Sequence, residues 1–458
     1  MKIGLIGRDL SKTQAGRVHD IIGGGEYDYI FVEIKNSEDL GKVLGDEYFD
    51  GFNVTNPYRA EVIKYMDELT EDARRTGAVN VVTRLSDGRL KGWNTDVEGL
   101  SATLGDSVAG KKCMVLGTGG AGISAACVLT DLGASEVVLV SRNPDAAYER
   151  VGNEYEIVGY DRIYSHNAAQ IIINCTPVGK YSNIDHSPFA DHRINMRIFN
   201  SLELAVDMIY NPYRTKFLQD AKRLTGCRTK SGLEMFIVQA LSSRSIWLGK
   251  KFDQEEALRF VIPLKKKILE NQLNIVAIGL PGSGKTTIMR RYAYELGMEF
   301  IDTDEETEKR MGMKINEALA ESTMGEEYFS AMEQESVREI GKRRRKVIAT
   351  GGGTAMNPIN RDILRANGIV VYVKRPLDML DVKGRPLSMS ALKEVFNVRD
   401  RVYRRAADMT IFNSRVFGGI RALTGEGNTY NFELKGFVYF IARRVEKHLN
   451  ELAKDEWT

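Results

Sequence analysis

Short apolar runs alternate with helical stretches along almost the whole chain. The runs at residues 2–6, 29–32, 113–116, 137–140, 171–174, 275–278, 347–349 and 370–373 are bounded by glycine or polar turns. Runs of this length predict strands buried on both faces, as in parallel sheets. Their alternation with helices predicts an α/β fold. The chain shows no internal repeat and no low-complexity tract.

Two glycine-rich turns divide the chain. Gly117 to Gly122 follow the run at 113–116, and Gly279 to Gly284 follow the run at 275–278. Between them, residues 250–273 are rich in Lys, Glu and Leu and include the helical run LKKKILENQ, which predicts a linker helix. Each flanking stretch has its own strand, glycine loop and helix, so each can bind a nucleotide alone.

At 458 residues the chain has room for about three domains. Its 64 Lys+Arg against 62 Asp+Glu leave a formal charge of +2. That balance excludes the basic footprint of a nucleic-acid binder or a polybasic membrane binder. Hydrophobic residues at 43% and charged residues at 28% exclude a mainly disordered chain. No apolar run approaches the ~20 residues that span a bilayer. Charged residues follow the first apolar run at once, which argues against a signal peptide. Cys113, Cys127, Cys175 and Cys227 form no C-x-x-C pair and read as reduced core thiols. The five histidines have no metal-ligand spacing. The expectation is a cytoplasmic protein whose partners are small molecules, with no nucleic acid and no membrane. Oligomeric state is not encoded in these patterns.

The first glycine turn carries G-x-G-x-x-G as Gly117, Gly119 and Gly122, with Gly120 and Ala121 inside it. It follows a predicted strand, opens an apolar helix and precedes a second strand, the context of a dinucleotide site. The glycines permit a tight turn and close approach of backbone to a pyrophosphate at the helix N-terminus. The second strand runs into Ser141-Arg142-Asn143 with no acid for a ribose 2′-hydroxyl. Arg142 suits a 2′-phosphate, so NADP is expected over NAD. Upstream lie three polar clusters: Gly51-Phe52-Asn53-Val54-Thr55-Asn56-Pro57-Tyr58-Arg59, Gly77-Ala78-Val79-Asn80 and Gly92-Trp93-Asn94-Thr95-Asp96. Such residues are common turn formers, but three clusters ahead of a dinucleotide site read better as a polyol-binding cleft.

With these motifs, residues 1–250 resemble shikimate dehydrogenase. That family carries G-x-N-V-T-x-P-aromatic-Lys, G-A-x-N, N-T-D and a G-x-G-G-A loop. It continues with N-x-T-P-x-G, here Asn174 to Gly179, and D-x-x-Y-x-P, here Asp207 to Pro212 with Tyr210 as its tyrosine. A G-x-x-M-x-x-x-Q segment, Gly232 to Gln239, closes the series. The resemblance implies that Thr55, Asn80, Asp96, Tyr210 and Gln239 bind substrate. It implies that Asp96 is half of the catalytic pair, and that Asn174 and Thr176 join the loop and Ser141-Arg142 in holding NADP(H). The reaction implied is hydride transfer between NADPH and the ketone of 3-dehydroshikimate. Two positions depart from the family. Its catalytic lysine is Arg59 here, and arginine stays protonated, so it polarises a carbonyl without relaying a proton. Its S-x-S carboxylate site falls on Thr13 and Ala15, which keeps one hydroxyl of two.

The second glycine turn, Gly279-Leu280-Pro281-Gly282-Ser283-Gly284-Lys285-Thr286, is a P-loop. Its N–H groups cradle phosphates, Lys285 reaches the β/γ-phosphates and Thr286 ligates Mg²⁺; Thr287 follows. The next strand is predicted to end in Asp302-Thr303-Asp304, whose acids at i and i+2 would share one face of the strand. Helix capping is the competing reading for these acids. Gly351-Gly352-Gly353, Arg385-Pro386-Leu387 and Arg399 four residues before Tyr403 complete the set. The basic run at 342–346 reads as a solvated helix end.

This set resembles shikimate kinase across residues 273–415. The resemblance implies ATP-dependent phosphorylation of the shikimate 3-hydroxyl. Asp302 would lie near Mg²⁺ and the nucleophile, Asp304, Gly352, Gly353 and Arg399 would bind shikimate, and Arg385 would close a lid. The family's G-E-x-x-F-R becomes Gly325-Glu326-Glu327-Tyr328-Phe329-Ser330, which lacks the carboxylate-binding arginine.

The expected architecture is a two-lobed dehydrogenase with a Rossmann NADP-binding domain, then a P-loop NMP-kinase-like parallel α/β domain. Its divisions are a substrate lobe at 1–100, the Rossmann domain at 101–250 with its last helix returning to the substrate lobe, a helical linker at 251–272 and the kinase at 273–458. The leading expectation is a bifunctional enzyme of two consecutive shikimate-pathway steps. Two other readings use the same residues. One is a kinase with a weak dehydrogenase-like binding module, on the strength of Arg59, Thr13 and Ala15. The other is a pair acting on quinate or a related cyclic polyol acid, because carboxylate-binding positions changed in both halves.

Overall fold

The computed structural model describes residues 1–11, 13–181, 183–251, 253–320, 323–380, 389–413 and 428–454. Each predicted run lies within a strand, and the strands form three sheets. The first sheet contains β1 (Lys2–Gly7), β2 (Asp28–Glu33), β3 (Gly51–Val54), β4 (Glu68–Leu69), β5 (Val81–Arg84) and β6 (Leu90–Trp93), in the order β2-β1-β3-β5-β6-β4. It is mixed, since β5 runs antiparallel to β3 and β6. The run that became β2 is an edge strand with no fully buried residue, and Phe31 stands exposed. A buried strand was expected there, but a strand paired on one side only needs no apolar cover on both faces.

The second sheet contains β7 (Lys112–Leu116), β8 (Glu136–Ser141), β9 (Glu156–Gly159), β10 (Ile171–Asn174), β11 (Leu204–Asp207) and β12 (Arg228–Ser231). All its pairs are parallel, in the order β12-β11-β10-β7-β8-β9. Strand periodicity separates its two cores. Cys113, Val115, Ile171 and Ile173 face one helical layer, and Met114, Leu116 and Ile172 face the other. The order of strand connection reverses between β7 and β10, which opens a crevice at their carboxyl ends.

The third sheet contains β13 (Asn274–Ile278), β14 (Glu299–Asp302), β15 (Lys346–Ala349), β16 (Gly368–Lys374) and β17 (Met409–Phe412). It is parallel, in the order β14-β15-β13-β16-β17. The P-loop follows its central strand, β13.

Tertiary contacts divide the chain into two compact units. The first comprises Met1–Gly179, His186–Tyr210 and Phe217–Lys265; the second comprises Lys180–Asp185, Asn211–Lys216 and Lys266–Thr458. The expected linker is the helix Gln254–Gln272, and the division runs through it. Its apolar side is buried at Val261, Leu264, Ile268 and Leu269, so it is a packed element and not a bare connector. The second unit also takes in two segments that the sequence assigned to the dehydrogenase. Within that unit Ile184 joins the apolar core, Tyr213 N donates to Asn367 Oδ1 (3.0 Å) and Arg214 pairs with Asp408 (3.2 Å). The helix Asn428–Lys454 buries Leu434, Val438, Ile441, Val445 and Leu449, one apolar stripe at helical spacing.

Candidate active sites

In the first unit, the ends of β3, β5 and β6 bring the three polar clusters together. Asp96 begins the helix Asp96–Leu104 and is 2% exposed. A buried carboxylate needs charge and hydrogen-bond partners, and Asp96 has both. Arg59 Nη1 pairs with its Oδ2, and Asn80 Nδ2 donates to its Oδ1 (2.9 Å). Asn80 Nδ2 also lies 3.4 Å from Gln239 Oε1, and Arg59 Nε donates to Val54 O (3.2 Å). Arg59, Asn80, Asp96 and Gln239 therefore form one connected group.

Thr55 starts where β3 ends, with its methyl against Gly7. A Cβ on Gly7 would come within 2.5 Å of that methyl, so the glycine makes room for it. Thr13 Oγ1 accepts from Ala15 N (3.1 Å) at the start of the helix Ala15–Gly23. The next residue, Gln14, donates its N–H to the Tyr210 hydroxyl (3.5 Å), and the Tyr210 ring stacks on Phe236 at 4.5 Å.

The nucleotide loop follows β7. Gly117 has φ +104, and a Cβ on Gly122 would stand 2.0 Å from Gly117 O. Only glycine permits that packing of helix on loop. Gly119 caps the helix Gly120–Asp131, and nothing lies within 4 Å of where its Cβ would be, leaving a cradle open for a pyrophosphate. Ala121 sits in the first turn of that helix. Across the crevice, past β10, Thr176 donates through N (3.0 Å) and Oγ1 (2.7 Å) to Asn174 Oδ1. At the end of β8, Ser141 Oγ donates to Asn143 O (3.0 Å), and the next residue, Arg142, is exposed with no ion pair among the described residues. The residues fit an NADP(H) site: open glycine backbone at a helix N-terminus and an uncommitted cation past the second strand.

In the second unit the P-loop joins β13 to the helix Lys285–Glu295. Gly282 and Gly284 have φ +75 and +89, left-handed backbone of the kind that builds anion-binding nests. Lys285 Nζ donates to Gly279 O and Leu280 O, both at 2.9 Å. Thr286 and Thr287 are exposed in the first helical turn. Thr286 Oγ1 donates to Asp302 Oδ2 (3.0 Å), which brings the two expected Mg²⁺ ligands together. The donor set, a hydroxyl and a carboxylate beside a phosphate loop, fits Mg²⁺.

Asp302 and Asp304 do not share a strand. β14 ends at Asp302, which caps the helix Thr303–Met311 by accepting from Asp304 N (3.0 Å). Asp304 lies in that helix, against Gly351, where a Cβ would stand 2.2 Å from its Oδ1. Capping wins over strand continuation because an acid before a helix satisfies an otherwise unbonded N–H. The glycine loop is fixed on several sides. Gly351 N donates to Thr303 Oγ1 (2.8 Å), Gly352 O accepts from Arg399 Nη1 (3.3 Å) and from the Tyr403 hydroxyl, and Gly353 leads into Thr354. Ser330 is exposed on the helix Thr323–Gly341. Arg385 lies outside the described residues. In the basic run, Lys342, Arg343 and Lys346 pair with Glu339, Glu306 and Glu299, as a solvated surface would.

Some residues of these sites carried no sequence signal strong enough to single them out. Thr95 N donates to Asn80 Oδ1 (2.8 Å), and Asn53 Nδ2 donates to Asn80 O (3.0 Å); both lie inside quoted motifs. Glu98 is two residues past Asp96, and its Oε2 is buried with no partner among the described residues. Burial pushes its carboxyl up to about 7. Glu333 supports the glycine loop by accepting from Thr354 Oγ1 (2.8 Å) and Asn360 Nδ2 (3.2 Å), and burial raises its carboxyl too. His166 stands between Glu136 and Glu156, at 3.5 and 3.6 Å, an arrangement that sequence spacing did not show.

The folds and loops define a class: a dinucleotide-dependent oxidoreductase in the first unit and a P-loop kinase in the second. Comparison with known proteins gives the family. The chain is 33% identical over 263 residues to "Shikimate dehydrogenase (NADP(+))" of Clostridium beijerinckii, covering 55% of this chain and 93% of that protein. It is 34% identical over 267 residues to the protein of that name from Caldicellulosiruptor bescii, covering 54% and 88%. Among solved structures, a chorismate mutase/shikimate 5-dehydrogenase fusion protein from Clostridium acetobutylicum matches at TM-score 0.52 and 32% identity, over 58% of this chain and 98% of that one. Shikimate Dehydrogenase 1 from Peptoclostridium difficile matches at TM-score 0.51 and 32% identity, over 56% and 95%. The family model for the shikimate dehydrogenase substrate binding domain matches residues 10–82. The chain belongs to the shikimate dehydrogenase family, and its residues 281–415 match the family model for shikimate kinase. Among the described residues, no helix is long and apolar enough to cross a membrane.

Proposed function

We propose that the chain is a bifunctional enzyme that reduces 3-dehydroshikimate to shikimate with NADPH and then phosphorylates the shikimate 3-hydroxyl with ATP. The observation that carries this reading is that the two halves, each with its own nucleotide loop, resemble families acting on the same metabolite. One half makes what the other consumes.

In the dehydrogenase site, Asn80, Gln239, Thr55 and Tyr210 orient the ring hydroxyls, and Thr13 serves the carboxylate end. Arg59 holds the oxygen at C3 and stabilises negative charge as the carbonyl is reduced. Asp96 exchanges the proton at that oxygen, because arginine does not release one. NADP(H), when bound, supplies or accepts the hydride, and Arg142 selects it through its 2′-phosphate.

In the kinase site, Asp304, Gly352, Gly353 and Arg399 hold shikimate. Asp302 stands near the attacking hydroxyl, and with Thr286 it would hold Mg²⁺. Lys285 and the loop N–H groups of Gly282 to Thr287 bind the phosphates and neutralise charge that develops on them. Arg385 closes from the lid.

The test is a substrate panel on the full chain: NADP⁺ reduction and ADP release, each with shikimate and with quinate. Shikimate-dependent activity in both assays is the expected result. Activity with quinate alone, or ADP release without any NADP⁺ reduction, would overturn it.

A further inference from the structure

The phosphate loop is held from outside by two side chains that belong to none of the motifs. Asn413 follows β17 and is 3% exposed. Its Nδ2 donates to Ser283 O at 2.8 Å, while its backbone N–H is used on Lys374 O (2.8 Å). Arg375 follows β16, and its Nη1 donates to Gly282 O at 3.2 Å. Two consecutive loop carbonyls are thus taken by residues just past two consecutive strands.

The covalent geometry gives this a consequence. The Ser283–Gly284 peptide is trans, as is Gly282–Ser283. Across a trans peptide the C=O and the next N–H point in opposite directions. Fixing Ser283 C=O toward Asn413 therefore fixes the Gly284 N–H away from it. Fixing Gly282 C=O toward Arg375 does the same for the Ser283 N–H, which turns back over Leu280 O (3.2 Å). Gly284 sits at φ +89, and a Cβ there would come within 2.7 Å of Asn413 Nδ2. The glycine is thus required twice, by its backbone angle and by the approach of Asn413. Ser283 O faces the amide nitrogen of Asn413, which settles the orientation of that amide.

We propose that Asn413 is a positioning residue for the nucleotide: it locks the Ser283–Gly284 peptide so that the Gly284 N–H is presented to the phosphates before ATP arrives. Arg375 braces the preceding peptide at Gly282 O, while that peptide's N–H is held on Leu280 O. Asn413 itself touches no substrate. Its effect is on nucleotide binding, because a loop that must order its own donors binds a phosphate less tightly than one already ordered.

This inference rests on the kinase reading above, and the experiment separates the two. MgATP binding to the full chain is measured by calorimetry, and shikimate phosphorylation by steady-state kinetics, for the native protein, Asn413→Ala and Asn413→Asp. Asn413→Ala should raise Kd and KM for MgATP roughly tenfold, the equivalent of one buried hydrogen bond. KM for shikimate and kcat at saturating MgATP should stay within about twofold, since the reacting groups are untouched. Asn413→Asp should be weaker still, because its carboxylate cannot donate to Ser283 O and adds negative charge beside the phosphate site. An Asn413→Ala protein with native MgATP affinity would overturn the inference. So would equal losses for MgATP and shikimate, which mark general damage to the unit. A native protein that binds MgATP without phosphorylating shikimate would remove the kinase reading and leave the Asn413 comparison decisive through Kd. One that binds no MgATP would overturn both.

Discussion

Arg59 uses two different nitrogens on two partners: Nη1 pairs with Asp96, and Nε donates to the Val54 carbonyl. That arrangement needs a planar fork, and a lysine has one nitrogen for both tasks. The pair therefore holds its geometry well, and under the proposed function arginine leaves it without a second proton carrier. Shikimate oxidation is expected to be slow and to rise with pH, because proton removal is left to Asp96 and solvent. General acid–base help is worth about 10²–10⁴-fold, so Arg59→Lys should raise kcat, provided its shorter side chain reaches the C3 oxygen. Steady-state kinetics of both proteins over a pH series decide the matter. A native enzyme that is already fast, and slower as Arg59→Lys, would mean the arginine is an adapted catalytic group.

Arg142 is exposed just past β8, and under the proposed function it meets the 2′-phosphate of NADP(H). A charge-assisted contact that exists in only one of the two cofactors should discriminate between them. Arg142→Ala should weaken NADP(H) binding by about ten- to a hundredfold, from the ~1.5–3 kcal/mol of a hydrogen bond to a charged group. NAD(H) should change little. Cofactor titrations followed by fluorescence test this, and equal losses for both cofactors would exclude the role.

How much of this was legible in the sequence depends on the kind of signal. Buried parallel strands announce themselves as apolar runs, and the two nucleotide loops announce themselves by glycine spacing. Both put the two loops at strand ends, where the structure has them. Asp304 was misplaced because acids on either side of Thr303 read as a strand end, with capping as the competing reading, and only the hydrogen bond from Asp304 N to Asp302 decides. The Lys- and Glu-rich stretch reads as a connector, and the division does run through it, but the burial of Val261, Ile268 and Leu269 depends on tertiary packing that composition does not show. Asn413 and Glu333 carry no local pattern at all. Their importance comes from contacts with residues 130 and 21 positions away.

Glu98 should make the first unit's stability depend on pH. Its carboxyl is pushed up to about 7 by burial, against an ordinary value of 4.5, with Asp72 and Asp96 adding repulsion. A raised folded-state value means the protonated form is the one the fold favours. That stabilisation is fully present below about pH 4.5 and is lost as pH rises through about 7. The full effect is on the order of 3 kcal/mol. Glu98→Gln, which cannot ionise, should therefore raise the melting temperature at pH 8 and leave it nearly unchanged at pH 4.5. Thermal melts of both proteins across that range provide the check. A gain that is equal at both pH values would place the effect in packing and not in ionisation.

Lys285 offers the sharpest separation of the two activities. The residue is 7% exposed and its ammonium spans Gly279 O and Leu280 O, so it already lies across the phosphate loop. Phosphoryl transfer depends on positioning and on neutralising charge at the transferring group, and under the proposed function this side chain is the one that does both. Removing such a group costs about 10²–10³-fold in kcat, so Lys285→Ala should bring ATP-dependent phosphorylation close to background. Arginine should not restore it: its guanidinium is broader and planar, and the pocket formed by two adjacent carbonyls is matched to a compact ammonium. The NADP-linked reaction belongs to the other unit and uses none of these atoms, so its kcat and KM should be unchanged in both variants. Paired assays on the same preparations make each activity the folding control for the other. A Lys285→Ala protein that keeps most of its kinase rate would show that the loop does not carry the phosphoryl transfer.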